Sequence, residues 1–198
     1  MPLLTEDIVR AAARETRDRT SKSYRKILEE AAKTPEDRFD IFLSHSIKDA
    51  EIVRGTHVIL ERLGYSVYVD WIVDPELDRA AVSRSTALHL KERMRQCKAL
   101  LYLSTQNSVE SKWMPWELGF FDGFSGGKVA ILPVSKINRD DYRGQEYLSV
   151  YPYADVATIK GTRKDALWIN RSAAYYGKFD NWQRCGPRAM SRHTSLAD

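Results

Sequence analysis

The hydrophobic pattern of the chain changes period in a regular way. From residue 39 a short apolar run, FDIFL, gives way to the polar turn SHSIKDA. Next comes EIVRGTHVILERLG, in which Ile52, Thr56, Ile59, Leu60 and Leu63 recur on one helical face and Gly64 stands where a C-cap glycine belongs. The alternation then repeats. YSVYV predicts a second strand, STALHLKERMRQ a helix capped by Ser85, and KALLYLS a third strand. SKWMPWELGFFDGF predicts a helix with Pro115 in its first turn, KVAILPV a fourth strand and DVATI a fifth. Strands this continuously apolar, alternating with helices, predict a parallel sheet covered on both faces. The expected fold class is α/β, with about five strands in the flavodoxin-like order 2-1-3-4-5.

Two segments flank this core. Before it, Thr5, Glu6 and Asp7 suit a helix N-terminus, and Ile8, Val9 and Ala12 begin an apolar stripe. RETRDRTSKS breaks the stripe, which resumes with Tyr24, Ile27, Leu28 and Ala31 and ends at the turn KTPEDR. Residues 1–37 are therefore expected to form a helical arm, docked on the main domain or on another subunit. Residues 38–160 form the expected domain. Residues 161–198 carry Trp168, Tyr175, Tyr176, Phe179 and Trp182, too aromatic for a disordered end. They are expected to pack on the domain or on a neighbouring subunit.

Composition narrows the class. Hydrophobic residues make up 43% and charged residues 29%, the balance of a globular chain with a core. Of the net charge of +4, residues from Lys160 onward contribute eight Lys/Arg against three Asp/Glu, so the remainder is slightly acidic. A basic end can favour anionic partners, but a solvated surface explains it as well. No aromatic-plus-basic repeat or zinc-finger spacing is present, so no nucleic acid partner is expected. Cys97 and Cys185 form no CxxC pair, and no metal spacing is visible. Cys97 opens a buried strand as a free thiol, which fits a reducing compartment. The start MPLLTEDIVRAAARE meets acid too early for a signal peptide, and no apolar span reaches membrane length. The expected setting is cytoplasmic, without membrane attachment.

In an open parallel sheet, ligands bind at the carboxyl ends of the strands. Ser44, His45, Ser46 and Asp49 follow the first strand, Asp70 and Trp71 the second, and Ser104, Thr105, Gln106 and Asn107 the third. Hydroxyls and carboxylates bond ribose oxygens, and indoles stack on planar bases. The helix after the third strand carries Trp113 and Glu117, four apart and hence on one face, beside the stripe Met114, Leu118 and Phe121. A helix apolar nearly all round is buried. Glu117 then either faces a cleft or pairs inside, with Arg93 or Arg95 as candidate partners. His57, His89 and His193 have no partner motif, Asp49 reads as a helix cap, and Trp116 reads as core.

FDIFLSHSIKDAE, GYSVYVD, CKALLYLS and SKWMPWELGFF, in this order and spacing, resemble a bacterial TIR (Toll/interleukin-1 receptor) domain over about residues 38–160. Trp113-x-x-x-Glu117 is similar to the WxxxE pattern of NAD-cleaving bacterial TIR domains. The segment from Asp70 to about Arg84 stands where that family has its BB loop, without the family's Pro-Gly pair. The resemblance implies an enzyme, an NAD⁺ nucleosidase or cyclase that releases ADP-ribose or a cyclic ADP-ribose isomer. NAD⁺ would be substrate, with no separate cofactor and no metal. Glu117 would be catalytic, and Ser44, His45, Ser46, Asp70, Trp71, Ser104 and Trp113 would bind substrate. The resemblance further implies homo-oligomers through TIR–TIR contacts, a role in anti-phage immunity, and a separate effector reached through the nucleotide product. Two other readings stand beside it: a non-catalytic TIR module acting by self-association, and a hydrolase like the nucleoside deoxyribosyltransferases, which also use a glutamate.

Overall fold

Alternate residues of a strand face opposite sides of its sheet, so a strand apolar on both faces needs two layers of cover. The computed structural model shows how the chain supplies them, and it describes residues 3–20, 38–70, 83–136, 146–172 and 174–192. Its strands are β1 (Leu4–Thr5), β2 (Phe39–Ser44), β3 (Val67–Tyr68), β4 (Cys97–Ser104), β5 (Val129–Ser135), β6 (Tyr153–Thr158), β7 (Asp165–Ser172), β8 (Tyr175–Lys178) and β9 (Ser191–Arg192). Its α-helices are α1 (Glu6–Thr20), α2 (Ala50–Arg62), α3 (Arg84–Arg95), α4 (Trp113–Ser125) and α5 (Phe179–Cys185). Among these described helices, none is long and apolar enough to cross a membrane.

Strands β3-β2-β4-β5-β6 are parallel neighbours, the order anticipated from the alternating pattern. The sheet does not end there. β6 turns back through a hairpin at Gly161, whose φ of 79° suits glycine, and β7, β8 and β9 continue it antiparallel. At the other end of the chain, β1 pairs with β5 through Leu4↔Val134 and Thr5↔Ser135. Among the described residues the sheet is therefore mixed and nine-stranded, with the expected five parallel strands at its centre.

One face of the sheet is covered by α1, α2 and α5. Val9, Ile52, Val53, Leu60, Phe179 and Trp182 lie over Ile41, Leu43, Leu101 and Leu132. The other face is covered by α3 and α4, whose Leu90, Met94, Met114, Leu118 and Phe121 meet Phe42, Leu100, Tyr102 and Ile131. α5 is tied in by Phe179 and Trp182, both fully buried, and by Gln183 Nε2, which donates to the Asp40 carbonyl at 2.9 Å. α1 packs on α2 of the same chain. Arg10 bridges Glu6, at 3.0 Å, and Glu51, while Arg62 reaches back to Glu15 at 3.1 Å. The later stripe Tyr24, Ile27, Leu28 and Ala31 lies outside the described residues.

Local details follow their expected chemistry with one correction. Gly64 closes α2 at φ 94°, donating to the Glu61 carbonyl at 2.9 Å. The cap of α3 is Ser83, not Ser85: the helix starts at Arg84, so Ser83 Oγ is the oxygen that accepts from Thr86 N, at 3.1 Å. Cys97 is buried and its thiol free, and burial pushes its pKa up.

One buried acid outside the strand-end cluster sets a pH dependence. Asp155 on β6 is 1% exposed, and among the described residues its Oδ1 has no hydrogen-bond partner. Burial pushes its carboxyl up to about 6, with the Asn170 amide opposing the rise. The folded protein thus keeps a proton that the unfolded chain gives up near pH 3.8. Between those two values the folded state binds more protons, so stability falls as pH rises, and the loss persists above the window. Asp155→Asn should raise stability near neutral pH by on the order of 2 kcal/mol and change little near pH 4. Urea titrations at the two pH values measure this difference.

Candidate active site

The helix that carries the WxxxE residues shows how its acid is placed. Ser111 Oγ accepts from Met114 N at 3.3 Å at the start of α4, and Pro115 sits in the first turn, where backbone N–H groups have no helical acceptor. Gly126 ends the helix at φ 70°. The buried residues are Met114, Glu117, Leu118 and Phe121. Their spacing of three, four and seven marks one core-facing stripe. Glu117 thus stands within the buried stripe, not beside it, and it is 0% exposed.

α4 is apolar all round but not buried all round. Trp113, Trp116, Phe120 and Phe124 form a second stripe at the margin, with Phe124 43% exposed. Trp113 and Trp116 meet edge to face at 5.4 Å, and Trp116 stacks on Phe120 at 5.9 Å. Burial does not separate the two tryptophans: both are half-buried neighbours packed against the core. Lys91 and Arg95 of α3 lie over this stripe, with Arg95 5.5 Å from the Phe120 ring.

A hydrogen bond reaches Glu117 from Ser44, whose Oγ donates to Glu117 Oε2 at 2.6 Å. The two arginines named as candidate partners, both on α3, have contacts of their own. Arg93 donates to Gln96 and lies over Tyr68, and Arg95 lies over Phe120. Ser44 ends β2 and is itself fully buried. The next residue, His45, is 2% exposed; its Nδ1 is 2.8 Å from the Leu43 carbonyl and its Nε2 3.4 Å from Asp70 Oδ1. Asp70, following β3, is equally buried. Ser46 is engaged in its own turn, where its Oγ accepts from Lys48 N at 3.4 Å. Ser104 is half-buried at the end of β4. Trp71 lies outside the described residues.

The strand-end rule thus brings Ser44 and Glu117 into contact and His45 and Asp70 into contact. It also holds an arrangement that the sequence reading missed. Asp49 precedes α2 but makes no side-chain cap bond. Its carboxylate instead accepts from Thr105 Oγ1 and Asn107 Nδ2, both at 2.6 Å. This brace ties the loop after β2 to the loop that leads from β4 into α4. The run STQNS, dense in side chains that bond local backbone, was the available clue. A polar cavity of about 240 Å³ opens beside the brace, lined by Arg10, Lys48, Asp49, Thr105, Asn107 and Lys136 among others.

Comparison with known proteins identifies the family. A family model described as the TIR domain matches residues 41–167. Over 165 residues the chain is 50% identical to a protein of Bacillus cereus (strain MSX-D12) named "Probable 3' cyclic ADP-D-ribose synthase ThsB'", covering 82% of this chain and 85% of that protein. Over 83 residues it is 37% identical to a Cytobacillus dafuensis protein named "Putative cyclic ADP-D-ribose synthase TIR2", covering 41% of this chain and 22% of that one. The family match takes in well over half of the chain and contains every strand of the parallel core apart from the first residues of β2. This chain belongs to the TIR domain family.

Proposed function

We propose that this protein cleaves the nicotinamide–ribose bond of NAD⁺ and closes the released ADP-ribosyl group into a cyclic ADP-ribose, with ADP-ribose as the hydrolytic by-product. The observation that carries the reading is the 2.6 Å bond from Ser44 to Glu117, an acid placed in an otherwise apolar helix stripe at the ligand-binding edge of the sheet. The relatives named as cyclic ADP-D-ribose synthases support it, and the 3' linkage in the first of those names is the isomer we assign.

The chemistry suits the residues. As the bond between ribose C1′ and the nicotinamide nitrogen breaks, its electron pair stays with the ring, which leaves neutral. Positive charge develops on the ribose, and a fixed carboxylate stabilises it. Glu117 supplies that carboxylate, and Ser44 holds one of its oxygens in place. Trp113 walls the site, and Ser104 bonds a ribose hydroxyl. Attack on C1′ by a ribose hydroxyl of the same molecule, with loss of its proton, gives the cyclic product. Attack by water gives ADP-ribose.

Glu117 is fully buried, so substrate must uncover it. The half-exposed aromatic stripe along α4 begins at Trp113, within one turn of the acid, and offers a surface for self-association. We therefore expect assembly to activate the enzyme. Activity per subunit should fall at least several-fold on dilution, and a constant, high specific activity across a wide dilution series would refute this. A cytoplasmic role in bacterial antiviral defence, with a separate effector reading the nucleotide, completes the proposal.

Incubation with NAD⁺ followed by mass spectrometry of the products tests the reading. Release of nicotinamide with a product of the mass of cyclic ADP-ribose is the expected result. Cleavage of free nucleosides with NAD⁺ untouched would point to a deoxyribosyltransferase-like hydrolase. No turnover even in concentrated protein would point to a non-catalytic module.

A further inference from the structure

His45 faces an oxygen at each ring nitrogen. Nδ1 lies 2.8 Å from the Leu43 carbonyl, which can only accept, so Nδ1 carries a proton. In a neutral ring Nε2 would then present a lone pair, yet it stands 3.4 Å from Asp70 Oδ1. Two acceptors facing each other repel. Solvent screens the repulsion little, because the His45 and Asp70 side chains are only 1% and 2% exposed. A second proton on the ring, the more basic of the two groups, turns the contact into an attraction between opposite charges.

We propose that His45 is an imidazolium paired with Asp70, and that this buried ion pair is a positioning element for the reaction rather than a nucleotide contact. The pair joins the ends of β2 and β3, and His45 directly follows Ser44, the residue that holds Glu117. Fixing the His45 ring on both sides fixes the backbone at Ser44, and with it the direction of the Ser44 hydroxyl. The positioning role rests on the reading of Glu117 as the catalytic carboxylate; the charge state of His45 does not.

Two measurements separate these points. Long-range ¹⁵N–¹H correlation spectra of protein labelled at histidine nitrogens read the ring directly, with His45→Gln identifying the signal. At about pH 7.5 we expect both His45 nitrogens to be protonated in the wild type and Nε2 to lose its proton in Asp70→Asn. A neutral ring in the wild type, or an imidazolium that survives unchanged in Asp70→Asn, would overturn the pair. NAD⁺ kinetics then test the role. Asp70→Asn, which keeps the shape of the side chain, should lower kcat about tenfold or more and leave KM within about twofold. A raised KM with kcat unchanged would instead make the pair a nucleotide contact. Undiminished turnover by Glu117→Gln would overturn the active-site reading, and the positioning role with it, whatever the imidazole spectrum shows.

Discussion

Glu117→Gln is expected to lower NAD⁺ turnover by about a thousandfold while leaving the fold intact. Gln has nearly the shape of Glu, and its amide oxygen can still accept from Ser44 at the position that Oε2 holds now. What the variant loses is the negative charge facing the developing oxocarbenium ion. Removing one preorganised electrostatic partner from a dry site typically costs about 10²–10³ in rate, and a full charge belongs at the upper end. The same substitution relieves the cost of burying a charge in an apolar stripe, so the melting temperature should hold or rise. Ser44→Ala is the graded companion. It keeps the carboxylate but frees its orientation, and a hydrogen bond to a charged group is worth roughly 1.5–3 kcal/mol, or about ten- to a hundredfold. Initial rates of nicotinamide release and thermal melts on the three proteins measure all of this. Glu117→Gln activity near that of wild type would remove the basis of the proposed mechanism.

Gly55→Ala is expected to destabilise the protein by roughly 1–3 kcal/mol net of the helix propensity that alanine gains. A Cβ at this position would stand 1.8 Å from the Val9 carbonyl oxygen and 2.6 Å from its carbon. Those are backbone atoms of α1, so no rotamer change relieves the clash. α1 would have to move away from α2, giving up the burial of Val9 and loosening the ion pair of Arg10 with Glu51. Gly119→Ala in α4 is the control. Nothing lies within 4 Å of a Cβ built there, so the same substitution should stabilise by about 0.5–1 kcal/mol through propensity alone. Urea titration of both variants reads opposite signs from two helical glycines. Equal signs would mean that α1 is not seated on α2 as described.

The parallel core was legible because its cues are local. Continuous apolar runs marked β2, β4 and β5, and Gly64 marked the end of α2. The later strands were not legible as strands. β7 and β8 carry the aromatics Trp168, Tyr175 and Tyr176, which read as a packing extension. They become strands because β6 leaves an open edge for a hairpin to fill. α1 was read as an arm whose docking partner was open, since a stripe of Val9 and Ala12 does not name what covers it. Asp49 reads as a cap in the sequence because it precedes a helix. Its actual partners, Thr105 and Asn107, come from a loop more than fifty residues away.

The candidate site divides along the same line. The sequence by itself determined the α/β alternation, the edge of the sheet at which polar side chains collect, and Glu117 as the acid out of place among apolar residues. Periodicity, capping and side-chain chemistry operate within a few residues, so a linear reading suffices for them. Only the tertiary structure decided that Glu117 lies inside the buried stripe of α4, that Ser44 bonds it, and that His45 turns to Asp70. Ser44 and Glu117 are 73 positions apart. Whether their side chains meet depends on how β2, β4 and α4 stack, which is set by the packing of both faces of the sheet together and by no single segment of the chain.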